Sequence, residues 1–415
     1  MSTMTTERNE VATPPTKRRR DAQPPEGAPR RGRARELEGY RGLAALTIIG
    51  FHVFQFTGMA GTNSWISVLA RFETVDILFV MSAYLLTLSY ARAAIDRTPV
   101  QPARNFLFRR ATRILPLYWV GVTAVWAIRN PALPGDWVDL LEHLTFTQVF
   151  DRSRIFYTIG PTWSMSLEVI FYAVLVLLGP LAYRACAKID SRRARVGVLL
   201  GGAGLLTLIP LTWNSVAFLV FHVPFDNWPV YFGPQARFGA FGAGMLLAVV
   251  VAARRSEEPL FSGIWPSVLR VVGVGTVAVA AWFSGAGTWG QVVFHDFAGI
   301  GWLMLMASTV LGPKNQRWSR VLSWRALTFV GLISYSTYMW HEPIMMFLRH
   351  IGLTSSSVSQ LPLSLLLVIG VSLVVGYASY RVIERPTGKL RMLLDREGRP
   401  RDYYPELENR SADTP

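Results

Sequence analysis

The chain has 415 residues, of which 51% are hydrophobic and 17% charged, with 14 tryptophans. Apolar segments recur from residue 42 to residue 383, which excludes an ordinary soluble domain and reads as a polytopic membrane protein. The net charge of +15 does not mark a nucleic-acid binder, because the basic residues gather in alternate connections between apolar segments.

Residues 1–35 hold five prolines and the run Lys17-Arg18-Arg19-Arg20, and no apolar run precedes Leu43. No cleavable secretory signal is expected. The segment reads as a disordered, basic, cytoplasmic tail that sets orientation by the positive-inside rule. Adhesion to anionic lipid headgroups is the sharper alternative. The single cysteine, Cys186, excludes an intrachain disulfide and a Cys-based metal cluster.

Ten membrane helices are expected, at about 41–60, 73–91, 114–129, 161–183, 196–213, 229–252, 268–284, 291–311, 327–348 and 362–383. Every second connection is arginine-rich and the others are nearly devoid of basic residues. That alternation fits an even number of spans with both termini in the cytoplasm. The membrane domain spans 36–386, between the basic tail and a polar cytoplasmic tail over 387–415.

In the first helix, LEGYRGLAALTIIGFHVFQFTG, Arg41 precedes His52 by eleven residues. Eleven steps span roughly 16 Å and nearly three turns, so both side chains share one face. Across a hydrocarbon core of roughly 30 Å, Arg41 then sits at one interface and His52 near the midplane. An ionisable group at that depth is costly and marks a functional site by default.

The second helix carries Asp76 and Ser82 in VDILFVMSAYL; Asp76 is expected near the outer end, hydrated or supporting a site. At the edge of the third, FLFRRATRILPLYW places Arg110 and Arg113 three apart, on one face. Most such arginines are topology markers, but two on one face also suit phosphate recognition. Pro116 fits either a kink or a first turn. In the fourth, PTWSMSLEVIFY follows Trp163 with Ser164, Glu168 and Tyr172 at spacing four, a polar stripe. Arg237 lies well inside the sixth and needs an anionic partner, for which Glu168 is a candidate. The ninth, ISYSTYMWHEPI, lines one face with Tyr335, Tyr338, His341 and Glu342, and Pro343 suits a kink. Arg381, Glu384 and Arg385 close the tenth as an interfacial ion network. A polar cavity lined by these groups would account for them, in a transporter or a membrane enzyme.

Taken in order, Arg41-Gly42 with His52, FVMSAYL, RRATRILPLYW, PTWSMSLEVIFY, ISYSTYMWHEPI and YRVIERP decide between these. The set resembles the acyltransferase-3 family of integral membrane acyltransferases, which includes macrolide acylases and polysaccharide O-acetylases. The resemblance covers residues 36 to 386. Ala83 departs from it, standing where the family usually has glycine. No appended extracytoplasmic esterase-like domain is expected.

The resemblance implies a multi-pass plasma-membrane enzyme with no bound cofactor or metal. An acyl-CoA would be the donor and a hydroxyl of a saccharide or natural product the acceptor, the acyl group being most simply acetyl. It makes His52 the candidate catalytic histidine, Arg41 part of the same signature, and Arg110 with Arg113 the donor-binding pair. Glu168 would orient His52 or anchor Arg237. A neutral imidazole can remove the acceptor proton as the hydroxyl attacks the thioester; His52 as acylated nucleophile is the second-ranked route. Asp76, Ser82, Trp163, Ser164, Tyr172, Arg237, Tyr335, Tyr338, His341, Glu342 and Glu384 would line or support the cavity. The alternative is a transporter of a small polar or acylated molecule, with His52, Glu168 and His341 as a proton relay.

Overall fold

A computed structural model describes residues 31–391 apart from 57–64, 73, 133, 257, 286 and 315. Of the expected tails, residues 1–30 and 392–415 lie outside the described residues, whereas 31–35 open the first helix and 387–391 form short helical turns. Within them all regular structure is helical. The long helices are α1 (Arg31–Gln55), α2 (Val75–Asp96), α3 (Ala103–Arg129), α4 (Trp163–Ala187), α5 (Arg192–Asn214), α6 (Pro234–Ala253), α7 (Trp265–Phe283) and α8 (Thr288–Val310). They are followed by α9 (Arg325–Leu332), α10 (Ser334–His350) and α11 (Leu361–Ser379).

Among the described residues eight helices, α2 to α8 and α11, are long and apolar enough to cross a bilayer. Helix α1 has 25 residues but opens on charged ones, and α10 has 17. The expected ninth span is two helices that break at Ile333, whose backbone (φ −95°, ψ 6°) leaves the helical region. The arginine pair expected at the edge of the third span lies inside α3, which begins at Ala103. Pro116 is therefore an interior proline, and its missing N–H leaves the Thr112 carbonyl without its usual partner.

Helices α2, α6 and α8 are the most buried and pack against one another, with α4, α5 and α7 around them. Helix α1 lies against α9, α10 and α11. Glycine makes that crossing possible. A Cβ at Gly42 would fall on the Leu327 carbonyl, and one at Gly331 on the Glu38 carbonyl. Small residues let backbones approach where apolar side chains gain nothing over lipid. Ala83, the departure from the family pattern, is fully buried against Gly244 of α6, so its extra methyl is absorbed by packing.

The connection from α3 to α4 forms a compact cap built on a short helix, Trp137–Leu144. Asp136 caps it by accepting the Asp139 N–H at 3.1 Å. Arg154 bridges Asp136 at 3.1 Å and Asp151 at 3.0 Å. The Asp139 N–H, with Arg154 behind it, holds the Asp136 carboxyl below its ordinary range. Asp136→Ala is expected to cost about 1 kcal/mol, the worth of an N-cap. A depressed carboxyl stabilises above its unfolded pKa and loses that effect as the pH falls. The thermal-unfolding difference between Asp136→Ala and wild type should therefore shrink below about pH 4.

Candidate active site

Helix α1 brings His52, and α10 brings His341, to ring centroids 5.1 Å apart with a 40° tilt. His341 is fully buried, and its Nδ1 lies 2.6 Å from the Tyr338 carbonyl oxygen. A carbonyl only accepts, so the ring donates from Nδ1 and a neutral imidazole carries its lone pair on Nε2. That Nε2 is buried and has no hydrogen-bond partner among the described residues.

The polar stripe of α4 runs away from this pair. Ser164 and Tyr338 hydroxyls lie 2.7 Å apart, and the Tyr338 ring centroid is 5.4 Å from that of His341. One turn on, Glu168 accepts the Ser82 hydroxyl of α2 at 2.7 Å. One turn further, Tyr172 lies within electrostatic reach of Glu168 and of Arg110 and Arg113 on α3. From Ser164 to Tyr172 the stripe covers about 12 Å of helix axis. The Phe106 ring meets that of Tyr172 edge-on at 6.0 Å, and the Arg110 guanidinium stands 6.0 Å from the Phe106 centroid. The Arg110 Nε is buried without a hydrogen-bond partner among the described residues. Tyr335 ties α10 to this region by donating to the Ile114 carbonyl at 2.8 Å.

Arg237 belongs elsewhere. Its expected pairing with Glu168 does not occur: Glu168 accepts the Ser82 hydroxyl, and among the described residues it bonds neither Arg237 nor His52. The Arg237 guanidinium, 1% exposed, sits 4.3 Å from the Tyr231 centroid, 4.5 Å from Phe232 and 5.5 Å from Trp163. The charges acting with it are Asp76 and Asp296. Asp76 is fully buried rather than hydrated, and its Oδ2 lies 2.9 Å from His295 Nδ1. Four ionisable side chains from α2, α6 and α8 thus form a second buried cluster, with Trp163 on its wall. Sequence reasoning passed over His295 and Asp296, although two adjacent ionisable residues in an apolar helix are the same depth signal that singled out His52.

The other expected residues have local partners. Glu342 accepts the Gly160 N–H at 3.1 Å and fixes the chain entering α4. Glu384 accepts the Ser336 hydroxyl at 3.0 Å, and Arg381 donates to the Tyr377 hydroxyl at 2.9 Å.

The model of an acyltransferase domain, acyltransferase-3, matches residues 35–381. The chain belongs to the acyltransferase-3 family. It is 25% identical over 375 residues to the O-acetyltransferase OatA of Staphylococcus aureus (strain NCTC 8325 / PS 47), covering 86% of this chain and 58% of that protein. It is 25% identical over 371 residues to the "Putative peptidoglycan O-acetyltransferase YrhL" of Bacillus subtilis (strain 168), covering 84% of this chain and 54% of that protein. The chain therefore spans a little over half the length of the curated relatives it matches. No solved structure matches it.

Within this acyltransferase-3 chain the Arg41-Gly42 signature has a physical basis in two neighbours. Gly42 admits the α9 backbone, and Arg41 pairs with Glu38 one turn earlier at 3.3 Å. Helix α1 is continuous from Arg31 to Gln55, so the spacing that sets Arg41 and His52 on one face is realised.

Proposed function

We propose that the chain is a multi-pass O-acyltransferase of the plasma membrane, with ten spans and both termini cytoplasmic. It moves an acyl group, most simply acetyl, from acyl-CoA to a hydroxyl of a carbohydrate or glycosylated natural product. The observation that carries this reading is the α4 stripe, which links the arginine pair to the histidine pair over about 12 Å. In this reading Arg110 and Arg113 hold donor phosphates at the arginine-rich, cytoplasmic end, and the acyl-pantetheine arm follows the stripe inward. His52 removes the acceptor hydroxyl proton as its oxygen attacks the thioester carbonyl. The new C–O ester bond forms, the C–S bond breaks, and the proton passes to the departing thiolate. General-base help supplies about 10²–10⁴-fold, so confinement of donor and acceptor between the helices supplies much of the rest.

The test is purified protein in detergent or liposomes with acetyl-CoA, read as free thiol and as an acetylated acceptor by mass spectrometry. Acceptors come from comparing cell-surface glycans and secreted metabolites with and without the protein. Failure to consume any acyl-CoA in the presence of those acceptors would sink this donor assignment. The double variant Arg110→Ala, Arg113→Ala is expected to raise the donor KM by about 10- to 100-fold, from loss of charge-assisted phosphate contacts. An unchanged donor KM would make the pair topology markers.

A further inference from the structure

We propose that His341 is the proton partner of His52, its Nε2 accepting a hydrogen bond from the imidazolium that forms when His52 takes the acceptor proton. This deepens the reading of His52 as base and rests on it. His341 Nδ1 is bound to the Tyr338 carbonyl at 2.6 Å, which fixes the tautomer and leaves Nε2 as the ring's acceptor. The Nε2 atom is fully buried with no partner among the described residues, and an unmet acceptor in such a place is costly unless a donor arrives.

Among the described residues the neighbouring groups are committed elsewhere. The Glu342 carboxylate is turned to the Gly160 N–H, and the Tyr338 hydroxyl donates to the Pro161 carbonyl at 2.7 Å. Helix α11 meets α10 through Gly376 against Thr337 and through the Ser379 hydroxyl on Trp340, and α3 meets it through Gly121 against Met339. Helix α1 supplies the His52 ring, 5.1 Å away centroid to centroid. With neither histidine charged, His341 offers its Nε2 lone pair, and His52 keeps one N–H and one lone pair, the lone pair being what takes the acceptor proton. As His52 takes the acceptor proton at one ring nitrogen, the N–H on its other nitrogen becomes an imidazolium donor, and a stronger one, for His341 Nε2. The proton then leaves for the thiolate, and the pair returns to its starting state with one ester made and one thioester broken. His341 touches neither substrate and is a positioning residue.

The test uses two substitutions that separate the two ring nitrogens. Asparagine can reproduce the Nδ1 donor to Tyr338 but has no atom at Nε2. Glutamine places an amide oxygen near Nε2 and abandons the Tyr338 bond. If His341 serves His52, His341→Asn lowers kcat by about 10- to 100-fold, the worth of a hydrogen bond to a charged group, with the acetyl-CoA KM unchanged, and His341→Gln retains more activity than His341→Asn. A merely structural His341 gives the reverse order, and that result overturns the proposal, as does wild-type kcat in His341→Asn. In wild type, nitrogen-15 spectra of labelled histidine should show His341 protonated at Nδ1; protonation at Nε2 also overturns it. A chain inert toward every acyl-CoA overturns base and partner together. Turnover abolished in His52→Ala but intact in His341→Asn removes the partner alone.

Discussion

Replacing His52 with alanine is expected to lower acyl transfer by about 10²–10⁴-fold while leaving the protein folded. The size follows from the role: a positioned base removes a proton in the transition state, and without it the hydroxyl must attack unaided. The small effect on folding follows from the site. His52 lies near the end of α1 and is half-buried, and α1 is held elsewhere, by Gly42 and Gly331 at its contact with α9 and by Tyr40. The Tyr40 hydroxyl donates to the Leu305 carbonyl at 3.0 Å and lies 2.7 Å from the Thr309 hydroxyl. Initial rates with acetyl-CoA and thermal unfolding of the same preparation separate the two effects. Wild-type turnover in His52→Ala would refute the general-base role, and His52 would then be a packed histidine at membrane depth.

Arg237→Ala is expected to produce the largest loss of stability, about 3–5 kcal/mol, the usual cost of removing one partner from a buried charged group. Asp76 and Asp296 would remain inside the α2–α6–α8 core without their cation, and no water from the bulk reaches them cheaply. The effect is larger than a cavity of the same size would give, because the loss is of charge compensation as well as of contacts on Tyr231 and Phe232. Lysine should not restore the protein, since a compact ammonium cannot lie flat across two rings as guanidinium does. Midpoints of thermal unfolding in one detergent, for wild type, Arg237→Ala and Arg237→Lys, check this. An Arg237→Ala midpoint equal to wild type would mean the cluster contributes nothing to holding the three helices. Acetyl-transfer rates at a temperature where all variants stay folded should change far less than in His52→Ala.

Helical periodicity and residue chemistry in the sequence by themselves determined a good deal. Apolar length and the absence of water in a bilayer leave only helices for such a chain, so the all-helical class and most span positions were legible. The α4 stripe was legible too, because spacing four on a helix is a face, whatever surrounds it. So was the Arg41–His52 relation, which lies within one continuous helix.

The partners of those faces were decided only by the tertiary structure. Period identifies which side of a helix is polar and says nothing of which neighbour meets it. Glu168 and Arg237 looked complementary as the two opposite charges in their spans, yet the packing of α2 gives Glu168 to Ser82 and gives Arg237 the company of Asp76. The break at Ile333 has a similar origin. Its sequence reads as one apolar run, but Gly331 lies under the Glu38 carbonyl where α1 crosses, and the helix restarts beyond it. His52 and His341 each announced themselves as ionisable groups in apolar helices. Their meeting at 5.1 Å depends on that crossing, because backbone contact through Gly42 and Gly331 draws α1 and the α9–α10 pair together, and no property of either helix alone contains it.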